Sequence, residues 1–408
     1  MKTLWFVTVL CFLGCAGGGT VGPDAGEATG DGSPPGTPDA RSSGADASSS
    51  SDASLSSVDA SIAGLDCDSV PYDVDALLNE RAGFGAAAQG GDPANVYHVT
   101  TLSNSGSGSL RAGLESSAHY WIVFDVEGVI TLTSKINARS YKTIDGRGRD
   151  ITINGPVAFR DVRHVIVTDV RLTNDTEGHC TQAGDVVELR GDGGTTPGSY
   201  STRDVWFHHV EFFNGGDGLL DLRGASNVTV SWSHFHTHKK GILMGPTSDG
   251  SDATGMYVTM HHNFFDRMTL RGPQFLHGRI HYFNNYQYHW YEYGAGSLDG
   301  AQFRSENNIY EARPGDWCIP NCPDPNPCGD DDFFVSKEAL VYQWSTNGDG
   351  NVRSDGDLLL QGAVASENNP TSVFDPAASY SYTAETATTA LAAEIADGSG
   401  PRLDYCQP

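Results

Sequence analysis

An apolar run that keeps returning constrains the fold more than any other feature of this chain. VIVTDV begins at Val165, VWFHHV at Val205, VTVSWS at Val228, VTMHHN at Val258, IHYFNN at Ile280 and FRSENN at Phe303. Each opens with alternation, is rich in β-branched or aromatic residues, and is followed by turn formers or an insertion, which is the pattern of a strand. The starts lie 40, 23, 30, 22 and 23 residues apart, a basic period near 22 to 23 with loops added on some turns. Such a period marks a solenoid, in which each repeat buries its apolar face only against its neighbours. Asn263, Asn285 and Asn308 hold the sixth place of the last runs. A recurring Asn at one place in a coil predicts a ladder of stacked amides, each bonded to the next turn. No helix-period segment separates the strands, which excludes a βαβ sheet. The reading is all-β, a single-stranded parallel β-helix with one rung per repeat and inserted loops; an irregularly spaced sandwich or jelly roll is the alternative.

Residues 1–15, MKTLWFVTVLCFLGC, carry one Lys, an apolar core and then small residues. They read as an export signal, too short to span a membrane. Phe12-Leu13-Gly14-Cys15 resembles a bacterial lipoprotein box. A lipid anchor through Cys15 on an extracellular or cell-surface protein of a bacterium is therefore expected, against ordinary cleavage in the following AGGGT. Residues 16–66 are nearly all Gly, Ser, Ala, Asp and Pro, a disordered tether. The tether holds eight acids against Arg41, or −7 of the total −26, so the rest is acidic too. That balance excludes nucleic acid and anionic membrane surfaces as partners, but leaves an acidic substrate open where a cation mediates.

Residues 67–408 are enough for one large domain, and a monomer is expected. Cys67, Cys180, Cys318, Cys322, Cys328 and Cys406 imply three disulfides in an exported chain, with Cys67 and Cys406 placed to staple the ends. The spacing in DWCIPNCPDPNPC does not suit zinc. Near the end, ETATTALAAEIADG predicts a short terminal helix that packs across the coil or caps it.

Asp217 and Asp221 sit in Asp-Gly-Leu-Leu-Asp just ahead of a strand, and Asp185 lies one turn earlier in GDVVEL. Adjacent rungs stack about 4.7–4.9 Å apart, so these carboxylates can converge. Converging carboxylates repel, and a hard cation such as calcium or magnesium relieves them. The plainer reading is three solvated turn residues. Lys239 and Lys240 follow His238; Arg271 precedes Gly-Pro, with Arg267 and Arg279 on either side. Cations beside a metal–carboxylate cluster suit a polymer with repeated carboxylates; otherwise they are solvated or locally paired. The FHH and HHN pairs point to opposite faces of a strand, which argues against a His-ligated transition metal. The run YFNNYQYHWYEYG lines a sugar groove by ring stacking or fills core.

With GFG, VTTL, SGSGSLR, IVFDVEGVI, TIDGRG, VWFHH, DGLLDLRGASNVTVSW, HKKGILMG, YVTMHHNFFD, RGP and HYFNNY in that order over roughly residues 80–400, the chain resembles the pectate lyases of polysaccharide lyase family 1. The resemblance implies a right-handed parallel β-helix and calcium-dependent β-elimination of polygalacturonate, giving 4,5-unsaturated ends. Asp185, Asp217 and Asp221 match the family's calcium-binding acids. Lys240 matches the lysine that contacts a substrate carboxylate, and Arg271 the catalytic arginine of Arg-x-Pro. The expected cofactor is calcium and the expected partner is an acidic plant polysaccharide.

Three positions depart from the family pattern. Leu276 stands where a second arginine is usual, His208 where Trp-Ile-Asp-His has Asp, and Ala183 where a further acid is common. Losing the second arginine removes a fork-shaped carboxylate binder. Arg279, His277 and Arg267 are the residues placed to substitute. The competing readings are a non-catalytic pectin-binding surface protein and a lyase for methylated pectin or another polyuronate.

Overall fold

Because β-branched and aromatic side chains repeat at one period, like residues end up over like. In the computed structural model, whose described residues are 73–175, 184–192, 196–245, 253–314, 336–343 and 348–404, the six runs become six neighbouring strands of one sheet. Val165 pairs with Val205, Val205 with Val228, Val228 with Val258, Val258 with Ile280, and Ile280 with Phe303. Each turn of the coil contributes one strand to each of three parallel sheets, of ten (sheet 1), nine (sheet 2) and nine strands (sheet 3). The fold is a right-handed parallel β-helix, as the period and the resemblance predict.

The core runs inside the coil as columns of similar residues. Phe212, Phe235 and Phe265 stack on successive rungs with centroids 4.7 and 4.8 Å apart and rings within 8° of parallel. That separation is the rung spacing itself, so the sheets hold the rings in register. Each such side chain is fully buried or nearly so and contributes about 1.5–3 kcal/mol.

At the corner between sheets 1 and 2 the predicted amide ladder is present. Asn285 Oδ1 accepts from the N–H of Asn263 at 3.0 Å and from its Nδ2 at 2.8 Å. Asn308 Oδ1 serves Asn285 in the same way at 2.8 and 3.0 Å. The ladder runs further than the sequence suggests, from the Ser233 N–H at one end to the Asp357 carboxylate at the other. The residue before each rung takes a left-handed turn: Trp232, His262, Asn284 and Asn307 have φ between 49° and 54°. Asn adopts that conformation readily. Trp232 and His262 are held there by stacking on each other at 4.6 Å.

The first rungs and two outer faces of the coil are covered. A short helix, Leu110–Glu115, is capped by Ser109 and drives Leu110 and Leu114 into the core at the first rungs. The terminal helix Thr389–Gly398, capped by Thr388, lays Leu391, Ala392 and Ile395 on the outside of sheet 2 against Tyr286 and Ile309. The segment before it crosses sheet 1, where Tyr380 Oη meets His281 at 2.6 Å. Among the described residues no apolar cluster covers the outside of sheet 3.

All described residues fall in one compact unit, Ala60–Pro408. The signal and Cys15, the tether, Ala183 and the six cysteines lie outside the described residues.

Candidate active site

Alternation along the strand Gly218–Arg223 turns Leu220 and Leu222 into the core and leaves Asp221 and Arg223 on the bare outer face of sheet 3. Asp217 ends the turn before this strand, and Asp185 ends the turn before its neighbour Val187–Arg190. The two turns are tied together. The Asp217 N–H donates to Gly184 O at 2.8 Å, and the Gly218 N–H donates to Asp185 Oδ1 at 2.8 Å. A Cβ on Gly218 would sit 2.8 Å from that same oxygen, so a larger residue there would displace the Asp185 carboxylate.

The carboxylates are strained electrostatically. Burial, then the nearby Asp221 carboxylate, push Asp185 up to about 7, against the Gly218 N–H. Burial also raises Asp221, although Arg223 and Arg271 pull it down. Asp221 Oδ2 accepts from Arg223 Nε at 2.9 Å, while its Oδ1 is buried with no partner among the described residues. Asp217 is paired with Lys240, which opens the next strand of sheet 3, Lys240–Gly245. An all-oxygen donor set with a raised acid and an orphaned carboxylate oxygen fits a hard divalent cation such as calcium.

Arg271 reaches this cluster from the following rung. It takes a left-handed backbone, φ 58°, and its carbonyl accepts from Ile242 N at 2.7 Å. A Cβ on Gly241 would lie 2.2 Å from that carbonyl, which explains glycine after the two lysines. The Arg271 Nε is buried without a hydrogen bond among the described residues. Its charge lowers the acids Asp221 and Glu292, against the burial that raises both.

The structure thus brings together Asp185, Asp217, Asp221, Lys240 and Arg271. It does not bring Arg279 to them. The corner at His277 and Gly278 ends sheet 3, so Arg279 opens a strand of sheet 1, where its guanidinium lies 5.2 Å from the Tyr257 ring and 5.7 Å from Phe374. His277 stays in that left-handed corner, φ 69°, and no described contact joins its ring to the acids. Arg267 is spent on its own neighbour, Asp266, at 2.7 Å. Leu276 keeps the outer position on sheet 3, beside Gly245.

His208 lies away from the site, buried in sheet 1. Its Nε2 donates to Glu80 at 2.6 Å and its Nδ1 accepts from Ser231 Oγ at 2.9 Å, the hydroxyl that Trp206 Nε1 also reaches. Glu80, His208 and His209 bring ligand-type atoms within 4.8 Å of one another. Arg402 already shares the Glu80 carboxylate and His209 Nδ1 donates to Gly400 O, so this group clasps the two ends of the domain.

Three residues of the site escape the sequence reading. Arg223 was within reach of it, since it lies two residues after Asp221 on the same face. His238 accepts from the Gly215 N–H at 3.3 Å and donates to Asp217 O at 2.6 Å, clamping the turn that carries Asp217. Glu292, in the tyrosine-rich run, stands near Lys239 and Arg271.

A family model described as pectate lyase matches residues 85–402. Among curated proteins, the chain is similar to a probable pectate lyase P56 of Solanum lycopersicum, 33% identical over 56% of this chain and 61% of that one. It is also similar to a pectate lyase of Zinnia elegans, 29% identical over 70% and 71%. The chain spans about three fifths of the length of the tomato relative. Among solved structures, jun a 1, the major allergen from cedar pollen, superposes with a TM-score of 0.63 at 23% identity, covering 80% of this chain and 94% of that one. A pectate lyase from Bacillus sp. N165 in complex with trigalacturonate superposes with a TM-score of 0.54 at 21% identity, covering 80% and 100%. The two curated relatives are plant proteins and lend no support to a bacterial lipid anchor at Cys15.

Proposed function

The chain belongs to the pectate lyase family, and from that premise we propose that it cleaves polygalacturonate by β-elimination at the outer face of sheet 3. The observation that carries this reading is the meeting of Asp185, Asp217 and Asp221 with an arginine whose Nε has no partner among the described residues. A polyuronate supplies the missing anion for Arg271, and a cation shared with the acids lets that anion approach them.

Elimination removes the proton at C5, next to the carboxyl group, moves the electron pair into that group, and then expels the C4 oxygen as the C4–C5 double bond forms. The rate depends on stabilising the negative charge that gathers on the carboxyl oxygens. Calcium, held by Asp185, Asp217 and Asp221, would supply Lewis-acid stabilisation of that charge. Lys240 leaves Asp217 to hold a substrate carboxylate. Arg271, whose Nε is without a partner among the described residues, is the group assigned to take the C5 proton. A guanidinium is ordinarily always charged, so this role requires an alkaline working pH and the cationic surroundings of the loaded site. His238 and Gly218 act indirectly, by fixing the two acidic turns.

One observation favours a variant of this substrate. Past Asp221 the row in register with it continues as Leu243 and Gln274, with Leu276 alongside, and beyond Lys240 and Arg271 this stretch holds no cation among the described residues. A methyl-esterified unit suits that stretch better than a free carboxylate. We take the site of action to be extracellular, and the products to be 4,5-unsaturated oligogalacturonides.

The test is turnover of polygalacturonate and of methylated pectin at alkaline pH, followed by ultraviolet absorbance of unsaturated uronides, with calcium and then with chelator. A rise that chelator abolishes supports the reading. A folded protein that binds the polymer without any rise supports the non-catalytic alternative. A rise on methylated pectin alone keeps the chemistry and moves the substrate.

A further inference from the structure

On the other side of Asp221 the outer face of sheet 3 is strongly cationic. The last residue of three successive strands, Val157–Arg160, Val187–Arg190 and Gly218–Arg223, is arginine, and the register places Arg160 beside Arg190 and Arg190 beside Arg223. Stacked at the rung spacing of about 4.7–4.9 Å, like charges repel, so a bare row of arginines lowers stability. The carboxylates nearby do not neutralise it. Glu188 is shared among Lys135 at 3.3 Å, Arg190 at 3.4 Å and Arg160 at 3.6 Å. Arg223 has Asp221, one of the acids of the candidate site. This concentration occurs in a chain with 25 basic residues against 51 acids.

The row ends in a cavity of about 710 Å³, lined by Arg139, Arg160, Arg163, Tyr141, His119 and Asp161 among others. The His119 ring stacks on Tyr141 at 4.2 Å and 20°, and the Arg163 guanidinium lies 5.8 Å from the Tyr141 ring. Asp161 accepts from Ser201 Oγ at 2.7 Å. Among the described residues neither Arg139 nor Arg163 has a carboxylate partner; the Nε of Arg139 donates to Glu115 O at 3.0 Å. Tyr141 lies between His119 and His164, 5.0 Å away, so the rings wall the cavity while the guanidinium forks offer paired N–H donors to a sugar carboxylate.

We propose that Arg160, Arg190 and Arg223, with the cavity at their end, form an accessory track for further uronate units of the polymer that is cleaved at Arg271. The inference rests on the functional reading above for the identity of the polymer. A nucleic acid fits less well, because its phosphates would run from the arginines directly into Asp185, Asp217 and Asp221. The track also gives the loss of arginine at Leu276 a counterpart: besides Lys240, this chain carries further carboxylate binders on the opposite side of Asp221.

The test compares the full chain with its Arg160→Gln/Arg163→Gln variant on long polygalacturonate and on trigalacturonate. The expected result is a KM for the long polymer raised about tenfold at unchanged kcat, with trimer kinetics unchanged and the melting midpoint unchanged or slightly raised as one charge leaves the row. An unchanged polymer KM overturns the track and leaves the lyase reading standing. If the wild type turns over neither substrate, the lyase reading fails, and the track is then read from polymer binding by calorimetry: about tenfold weaker binding in the variant supports it, and equal binding overturns it. Single-stranded DNA that displaces the polymer at equal charge concentration also overturns it, by showing a general anion patch.

Discussion

Two stacks of polar side chains climb this coil, and they are built on opposite principles. In the amide ladder every rung is closed: Asn285 gives its Nδ2 to Met260 O, Phe283 O and Asn308 Oδ1, and receives both donors of Asn263. In the acid cluster of sheet 3 the accounts stay open, with Asp221 Oδ1 and Arg271 Nε buried and unsatisfied among the described residues. A buried polar group without a partner costs about 1–3 kcal/mol, which a ligand that completes it recovers. The ladder therefore reads as structure, and the cluster as a place for a ligand.

The comparison breaks if truncation in the open stack behaves like truncation in the closed one. Arg271→Ala should have the largest effect, a loss of activity of about a hundredfold or more, with the melting midpoint unchanged or slightly raised. Turnover retained in that variant sinks both the assignment and the contrast. Asn285→Ala should do the reverse. It strands the Asn263 donors and the Met260 carbonyl in the core, at a cost of about 3 kcal/mol or more in denaturant unfolding. Activity per folded molecule should be kept.

Asp221→Asn sharpens the contrast from the stability side. Removing one charge from a site where burial and repulsion raise two acids should stabilise the metal-free protein by roughly 1–2 kcal/mol. It should also remove the calcium-induced rise in midpoint that the wild type is expected to show. Equal calcium responses in the two proteins would mean that Asp221 is not a ligand.

The closed stack was legible in the sequence because period and residue type coincide: an Asn at one phase of a repeat has nowhere to go but onto the next Asn. The acids were half legible. Rung spacing and the DGLLD turn put Asp185, Asp217 and Asp221 within reach of one another, yet their burial depends on folds of chain that the motif does not contain. Substitutes for the second arginine were misjudged because proximity in sequence was read as proximity on one face. Arg279 is three residues past Leu276, but the corner between them moves it to another sheet. His208 looked like a departure at the chemistry for the same reason, and is instead a link in a hydrogen-bond chain that runs from Trp206 through Ser231 and His208 to Glu80. Glu292 and His238 announce themselves only through contacts made across rungs.

The smallest effect separates the stacks by pH. Around the ladder corner, burial holds His261 well below its ordinary value, and neighbouring His262, His208, His281 and His209 push in the same direction. Its folded pKa is thus depressed below the unfolded value near 6.5, so the unfolded chain takes up a proton that the folded one refuses. Stability from this group is intact above about pH 6.5 and falls as the pH drops below it, by about 1.4 kcal/mol per unit. His261→Gln, which cannot titrate, should lose about 1 kcal/mol less than the wild type between pH 7.5 and 5.5, read by urea unfolding. Parallel acid limbs would show that His261 is protonated in the fold, and that the corner is wetter than its burial implies. Activity should follow neither limb, since the residues that set it lie on another sheet.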